Sequence, residues 1–241
     1  MLCNISNIFM YSKSARTVLL LLLMTVSLSG CLSGRIPAGV NYAAGTVVTS
    51  LSSNVSLSYR STDRSVSGSG FFMYRKPNQM RVVILSPFGS VLQEVYVSGE
   101  RVTIIDSGNG IAFSGVHTDL PVKGNFSGWR YIHWLIDIDS PDSSRRTAAV
   151  QRINRFGEIE QAEYEDGLLV SKKTAEGGYV RYGGYTDIQG VPFPLNIRYE
   201  SAVGETFTIT LEEPEINVAF AENAFIPDLG KLTVYPLSAL K

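Results

Sequence analysis

The chain changes rhythm at Val55. From there to Leu211, short stretches set apolar and polar residues in alternation, as in Val55-Ser56-Leu57-Ser58-Tyr59 and, less strictly, Met80 to Ile84 and Val91 to Val97. A period of two is that of a strand with one face in a core, so these stretches predict strands. Their separators are turn formers: Lys76-Pro77-Asn78, Ser86-Pro87-Phe88-Gly89, Ser98-Gly99-Glu100 and Ser107-Gly108-Asn109-Gly110. The second half repeats the scheme, with strands at Thr147 to Asn154, Ile159 to Tyr164, Leu168 to Lys173, Tyr179 to Thr186, Phe193 to Tyr199 and Thr206 to Leu211. Turns at Phe156-Gly157, Asp166-Gly167 and Gly177-Gly178 separate the first four of these. About eleven or twelve short antiparallel strands without long helices between them predict a barrel, a half-barrel or a sandwich.

One segment departs from this rhythm. Between Asn125 and Ile136, residues Phe126, Trp129, Ile132 or His133, and Ile136 fall near one helical face, and Asn125 is a residue type that caps helices. A short helix is expected there, although alternation describes the same residues nearly as well. Consecutive apolar residues at Phe71-Phe72 and Val82-Val83-Ile84-Leu85 carry further information, since neighbours on a strand point to opposite faces. Such runs predict strands covered on both sides by packing, or a curved sheet whose second face meets an apolar ligand.

Before the strands lies a leader. Lys13 and Arg16 precede an apolar run from Val18 to Met24 that continues through weakly polar residues to Leu28. That run is too short for a membrane-spanning helix, which needs roughly 20 residues, and it reads as a signal peptide over residues 1–30. Leu28-Ser29-Gly30-Cys31 resembles the lipobox of bacterial lipoproteins, in which the cysteine becomes the lipidated first residue of the processed chain. The thiol is the nucleophile that takes diacylglycerol as a thioether, and several acyl chains together make a durable anchor. Residues 31–45, with the small and kinked stretch Ser33 to Gly39, then form the lipidated N-terminus and tether, and 46–241 the globular domain. In the sorting scheme that the lipobox resemblance implies, an Asp after the cysteine would mean retention in the inner membrane, so Leu32 there implies the outer membrane, facing the periplasm.

Composition narrows the chemistry. Charged residues make up 18% of the chain, and 21 Lys and Arg stand against 22 Asp and Glu, so no basic excess supports nucleic-acid binding. Cys3 and Cys31 are the chain's two cysteines, too few for a disulfide framework or a thiolate zinc site. Neither a phosphate-binding P-loop nor a Gly-x-Ser-x-Gly elbow occurs. His117 and His133 are too far apart in sequence for a zinc-binding helix motif and are expected to pack or face solvent. Asp137, Asp139 and Asp142 lack the spacing of a calcium loop and are expected in a solvated one. No catalytic residue, metal or cofactor is expected. The abundant feature is aromatic and branched apolar surface, which suits a cavity for a hydrophobic molecule.

The order of motifs from Gly68 to Asp106 resembles the bacterial LolA/LolB group of lipoprotein carriers. Gly68-Ser69-Gly70-Phe71-Phe72 stands for a glycine-led strand, Arg75 to Arg81 for a Pro-containing turn, and Leu85-Ser86-Pro87-Phe88-Gly89-Ser90 for a Ser-Pro-x-Gly turn. Asp119-Leu120-Pro121-Val122, Tyr182-Gly183-Gly184-Tyr185 and Val191-Pro192-Phe193-Pro194-Leu195 are similar to LolB. The resemblance implies an incomplete antiparallel barrel whose short helices cover an apolar cavity for the acyl chains of lipoproteins. A periplasmic carrier protein is the implied partner. Cys31 favours the anchored member, LolB, over the soluble carrier. In LolB a hydrophobic residue projects from the loop after the Ser-Pro turn and assists transfer, which makes Pro87, Phe88 and Gly89 the implied membrane-contact loop. LolB carries Leu where this chain has Phe88. The family's first helix has one candidate here, Thr46 to Leu51. A non-catalytic adaptor lipoprotein with a filled core is the alternative to a lipid-binding function.

Overall fold

The computed structural model describes residues 47–121, 126–142, 147–154 and 157–240. The expected signal peptide, Cys31 and the tether lie outside them, as do Asn125 and Phe156. A single sheet of thirteen strands forms the body: β1 (Ser50–Arg60), β2 (Ser65–Arg75), β3 (Gln79–Leu85), β4 (Val91–Ser98), β5 (Arg101–Asp106), β6 (Ile111–Val116), β7 (Thr147–Ile153), β8 (Ile159–Glu165), β9 (Leu168–Thr174), β10 (Tyr179–Ile188), β11 (Val191–Glu200), β12 (Thr206–Ile216) and β13 (Thr233–Pro236). Its spatial order runs from β13 through β6 down to β1, then from β12 down to β7, so the sheet is open with β13 and β7 at its edges. Neighbouring strands are antiparallel except β13, which pairs parallel with β6. The twelve strands legible from alternation are present, and the incomplete barrel is the architecture observed. The count is thirteen against the eleven or twelve expected, β13 being the strand that alternation does not mark.

One glycine in β2 permits a close approach of neighbouring backbone within the curved sheet. Along β2, Val66, Gly68, Gly70, Phe72 and Tyr74 share the concave face, and a Cβ on Gly70 would stand 1.7 Å from the Val83 carbonyl oxygen. Only glycine permits that approach, and glycine inside a strand marks such bends. We expect no side chain to be tolerated there. Register breaks between β1 and β12, β3 and β4, and β8 and β9 add further local twist.

The helix predicted around Trp129 is α1 (Ser127–Leu135), laid across the concave face. Trp129, Ile132, Trp134 and Leu135 are buried with Val55, Leu57, Phe72 and Val82 from the strands, and it is Ile132, not His133, that lies in the core. The first-helix candidate is not realised. Ser50 and Leu51 open β1, where Leu51 pairs with Tyr74 and faces the core.

The doubly apolar strands have a protein explanation. After β12 the chain crosses the outer face of the sheet, with Glu222–Phe225 against β3 and β4 and Leu229 and Leu232 packed on Tyr96, Ile105 and Ala112. Val83 is buried on that outer face. Phe225 is buried beneath the guanidinium of Arg75, 4.8 Å from its ring centroid. The strap then forms β13 and turns inward, so that Leu237 joins the main core. Phe71, beyond the strap, remains half exposed.

Candidate functional site

Because the strands alternate in direction, the β1–β2, β3–β4, β5–β6, β7–β8, β9–β10 and β11–β12 turns all fall along one rim of the sheet. Just inside this rim lies a cavity of about 270 Å³ between the sheet and the start of α1. Its apolar wall is made by Leu57, Tyr59, Ile84, Phe126, Trp129 and Phe207, and Ser58, Ser67 and Gln93 are its polar members. Gly68 supplies the space. Its concave-face position opposite Leu57 carries no side chain, where any Cβ would already stand 3.1 Å from the Ile84 methyl. On the helix, Gly128 lets the Phe207 ring pack close, 3.0 Å from where a Cβ would stand. Val66 and Leu92 also line the cavity and are themselves exposed, so it reaches the surface at the rim.

The turn next to that opening is Ser86 to Ser90, which joins the two strands carrying Ile84 and Leu92. The Ser86 N–H donates to the Ser90 carbonyl (2.8 Å), the Gly89 N–H to the Ser86 carbonyl (2.9 Å), and the N–H groups of Phe88 and Ser90 to Ser86 Oγ. Gly89 has φ +81°, a left-handed backbone that glycine adopts without strain. The turn is thus held by its backbone and one serine. Pro87, Phe88 and Gly89 are all exposed, and Phe88 is 95% exposed, so its ring stands in solvent and does not fold back onto the core.

The other half of the concave side holds charges. Arg152 Nη2 lies 2.6 Å from Glu160 Oε1 and Arg152 Nη1 2.6 Å from Asp139 Oδ2. The Trp134 indole donates to Glu160 (2.6 Å), and the Tyr164 hydroxyl donates to Asp139. Lys172 is 1% exposed and donates to the carbonyl oxygens of Trp134 (2.6 Å) and Asp137 (3.0 Å), closing the C-terminal end of α1. A cation there also complements the helix dipole. Burial pushes the Lys172 ammonium down to about 8, against the opposing pull of Glu160, Asp137 and Asp139. Burial alone would raise the Asp139 carboxyl, but hydrogen bonds from Arg152 and Tyr164 hold it below its usual value. The aspartate segment is therefore no solvated loop. Apolar groups entering this half would have to desolvate paired ions, so the apolar cavity is the part of the interior suited to an apolar molecule.

The two histidines, distant in sequence, meet in space. The His117 ring, in a short 3-10 turn after β6, packs edge-on against His133 of α1 with centroids 5.1 Å apart. Among the described residues no group of three or more His, Cys, Asp or Glu side chains is placed to hold a metal. Sequence reasoning missed Glu160, although it stands in phase with the core residues Ala162 and Tyr164 along β8.

Comparisons with known proteins agree with this geometry. A domain described as an outer membrane lipoprotein-sorting protein from Vibrio parahaemolyticus is similar with a TM-score of 0.55 and 6% identity, covering 74% of this chain and 89% of that one. A LolA superfamily protein from Nitrosomonas europaea is similar with a TM-score of 0.52 and 14% identity, over 76% and 92%. A DUF1329 family protein from Desulfovibrio piger reaches a TM-score of 0.52 at 10% identity, over 74% and 90%. At such identities these likenesses establish the fold. No curated protein matches the sequence. The model of the family "Outer membrane lipoprotein LolB" matches residues 50–213, from the first strand into the twelfth, and the chain therefore belongs to the LolB family.

Proposed function

We propose that this protein is an outer-membrane lipoprotein, anchored through Cys31 and facing the periplasm, that takes up acyl chains of lipoproteins or lipids and passes them to the membrane. The process involves binding and release, without covalent chemistry. The observation that carries this reading is an apolar cavity that opens on the rim beside a rigid turn with an exposed aromatic tip. The cavity is slightly smaller than sites for drug-sized ligands, about 300 to 1,000 Å³, and accommodates part of one chain with α1 in its present place. A periplasmic carrier that delivers the cargo is the natural partner of such a receptor.

Gly68→Leu tests the cavity. The new side chain enters the space that Gly68 leaves open past the Ile84 methyl, so binding of a fluorescent fatty-acid probe should weaken about tenfold or more, with about 1 to 3 kcal/mol of stability lost to the tight contact but the fold retained. Equal binding in the variant and wild type would move the acyl site elsewhere. A folded wild-type protein that binds no probe at all would favour the adaptor.

Cys31→Ala tests the anchor. The thiol is the atom that is acylated, so metabolic labelling with palmitate should mark the wild type and not the variant. Equal label in both would defeat the assignment.

A further inference from the structure

The Ser86 to Ser90 turn has a twin on the same rim. In Ser201 to Glu205, joining β11 and β12, the Ser201 N–H donates to the Glu205 carbonyl (2.9 Å), the Gly204 N–H to the Ser201 carbonyl (3.0 Å) and the Glu205 N–H to Ser201 Oγ (3.1 Å). Each bond has its counterpart in the Phe88 turn, and Gly204 has φ +82° against +81° for Gly89. The third residue of the motif is the tip: Phe88 in one, Val203, 62% exposed, in the other.

The turn itself does not ask for an apolar tip. Thr174 to Gly178, between β9 and β10, has the same three bonds and a left-handed Gly177, and its third residue is the exposed Glu176. Nor is Val203 a core residue: it borders a shallow pocket with Tyr131 and Tyr199 and stays 62% exposed. Exposed apolar residues are ordinary when scattered singly. Of the thirteen exposed large apolar residues among those described, seven lie at this rim: Phe88 and Val203 themselves, Val66, Val91 and Leu92 near Phe88, and Ile153 and Ile159 on either side of the β7–β8 turn. Separate rigid tips along the edge of an open sheet suit a soft, planar, apolar partner better than a shaped protein groove.

We propose that the rim docks on the lipid bilayer at two points or more, with Val203 as a second membrane-contact tip alongside Phe88. This rests on the reading of Phe88 as a membrane contact, and it extends that reading from one loop to an oriented surface. Two contacts on one rim fix which way the cavity faces. Its opening is then held towards the membrane.

The test measures transfer of a fluorescent acylated peptide from the full-length protein into vesicles of zwitterionic phospholipid. Val203→Glu should slow transfer by about fivefold or more and Val203→Phe should speed it, because the partner is apolar and the larger side chain buries more area. Opposite effects of the two variants cannot come from a loss of folding. Gln189→Glu, in the β10–β11 turn on the opposite rim, should leave transfer unchanged. Two results would overturn the proposal: wild-type transfer in Val203→Glu while Phe88→Glu is impaired, or a Val203→Glu defect that also appears when the peptide is loaded from solution without vesicles. The first leaves the reading of Phe88 intact, and the second assigns Val203 to the cargo or to a protein partner.

Discussion

Arg152→Met should lower the stability of the fold by about 3 kcal/mol, the low end of what breaking a buried ion pair costs. Arg152 touches both interior carboxylates, with Nε 2.7 Å from Glu160 Oε1 and Nη1 2.6 Å from Asp139 Oδ2. The Glu160 side chain is 1% exposed, so without Arg152 its charge faces an interior where water cannot replace the lost partner. Arg152 itself is 26% exposed, which is why the low end applies. In a chain of this size such a loss corresponds to a drop of about 6 to 12 °C in melting temperature. A double variant, Arg152→Met with Glu160→Gln, should recover part of it, because the stranded charge is then gone. Thermal denaturation of the three proteins reads this directly. A loss below about 1 kcal/mol in the single variant would mean that solvent reaches Glu160 and that the network does not hold the interior. Trp134 connects this stability to the site, since its indole is bonded to Glu160 and its carbonyl to Lys172. The network anchors the C-terminal end of α1, while Phe126 and Trp129, at the other end of the helix, line the cavity.

How much of this was legible follows from what each residue answers to. Strands β1 to β12 were legible because their solvent and core faces differ in chemistry, and the turns between them because glycine, proline and asparagine answer to local backbone geometry. β13 was not. Its four residues, Thr233 to Pro236, are all exposed, so no alternation marks them, and they pair in parallel with a strand more than a hundred residues away. The doubly apolar stretch Val82 to Leu85 correctly announced two covered faces, but the outer cover is the chain's own strap, which no local pattern around β3 encodes. The cavity arises instead from what is missing at Gly68. Sequence alone distinguishes poorly between a glycine that bends a strand and one that leaves room for a ligand. Lys172 was hidden by the register break at Glu163 and Tyr164, which puts buried residues at Leu168 and Leu169, and again at Ser171 and Lys172, on consecutive positions. Phe88 was readable as a turn residue, while its exposure depended on how Ser86 ties the turn.

Phe88→Glu should leave melting within about 2 °C of wild type and reduce transfer of acylated cargo into vesicles at least about tenfold. The first half follows from the geometry of the turn. Its bonds run between backbone groups and Ser86 Oγ, its left-handed residue is Gly89, and the Phe88 side chain, 95% exposed, takes no part in holding it. Surface changes of this kind usually fall within about 0.5 kcal/mol. The second half follows from the environment the ring would enter. Burying a phenylalanine side chain is worth about 1.5 to 3 kcal/mol, and a carboxylate at the same depth adds a desolvation cost of its own, so the contact is lost and the ordering of protein on membrane with it. Phe88→Leu keeps an apolar tip of nearly the same reach and should retain most of the transfer. Probe binding should be unchanged in both variants, because the ring lies outside the cavity wall. Melting curves, probe titration and vesicle transfer on the three proteins separate the possibilities. A fall in melting temperature of more than about 5 °C would show that the ring packs on the fold in solution, and full transfer by Phe88→Glu would take the turn out of the mechanism and leave the cavity to deliver its cargo by another edge.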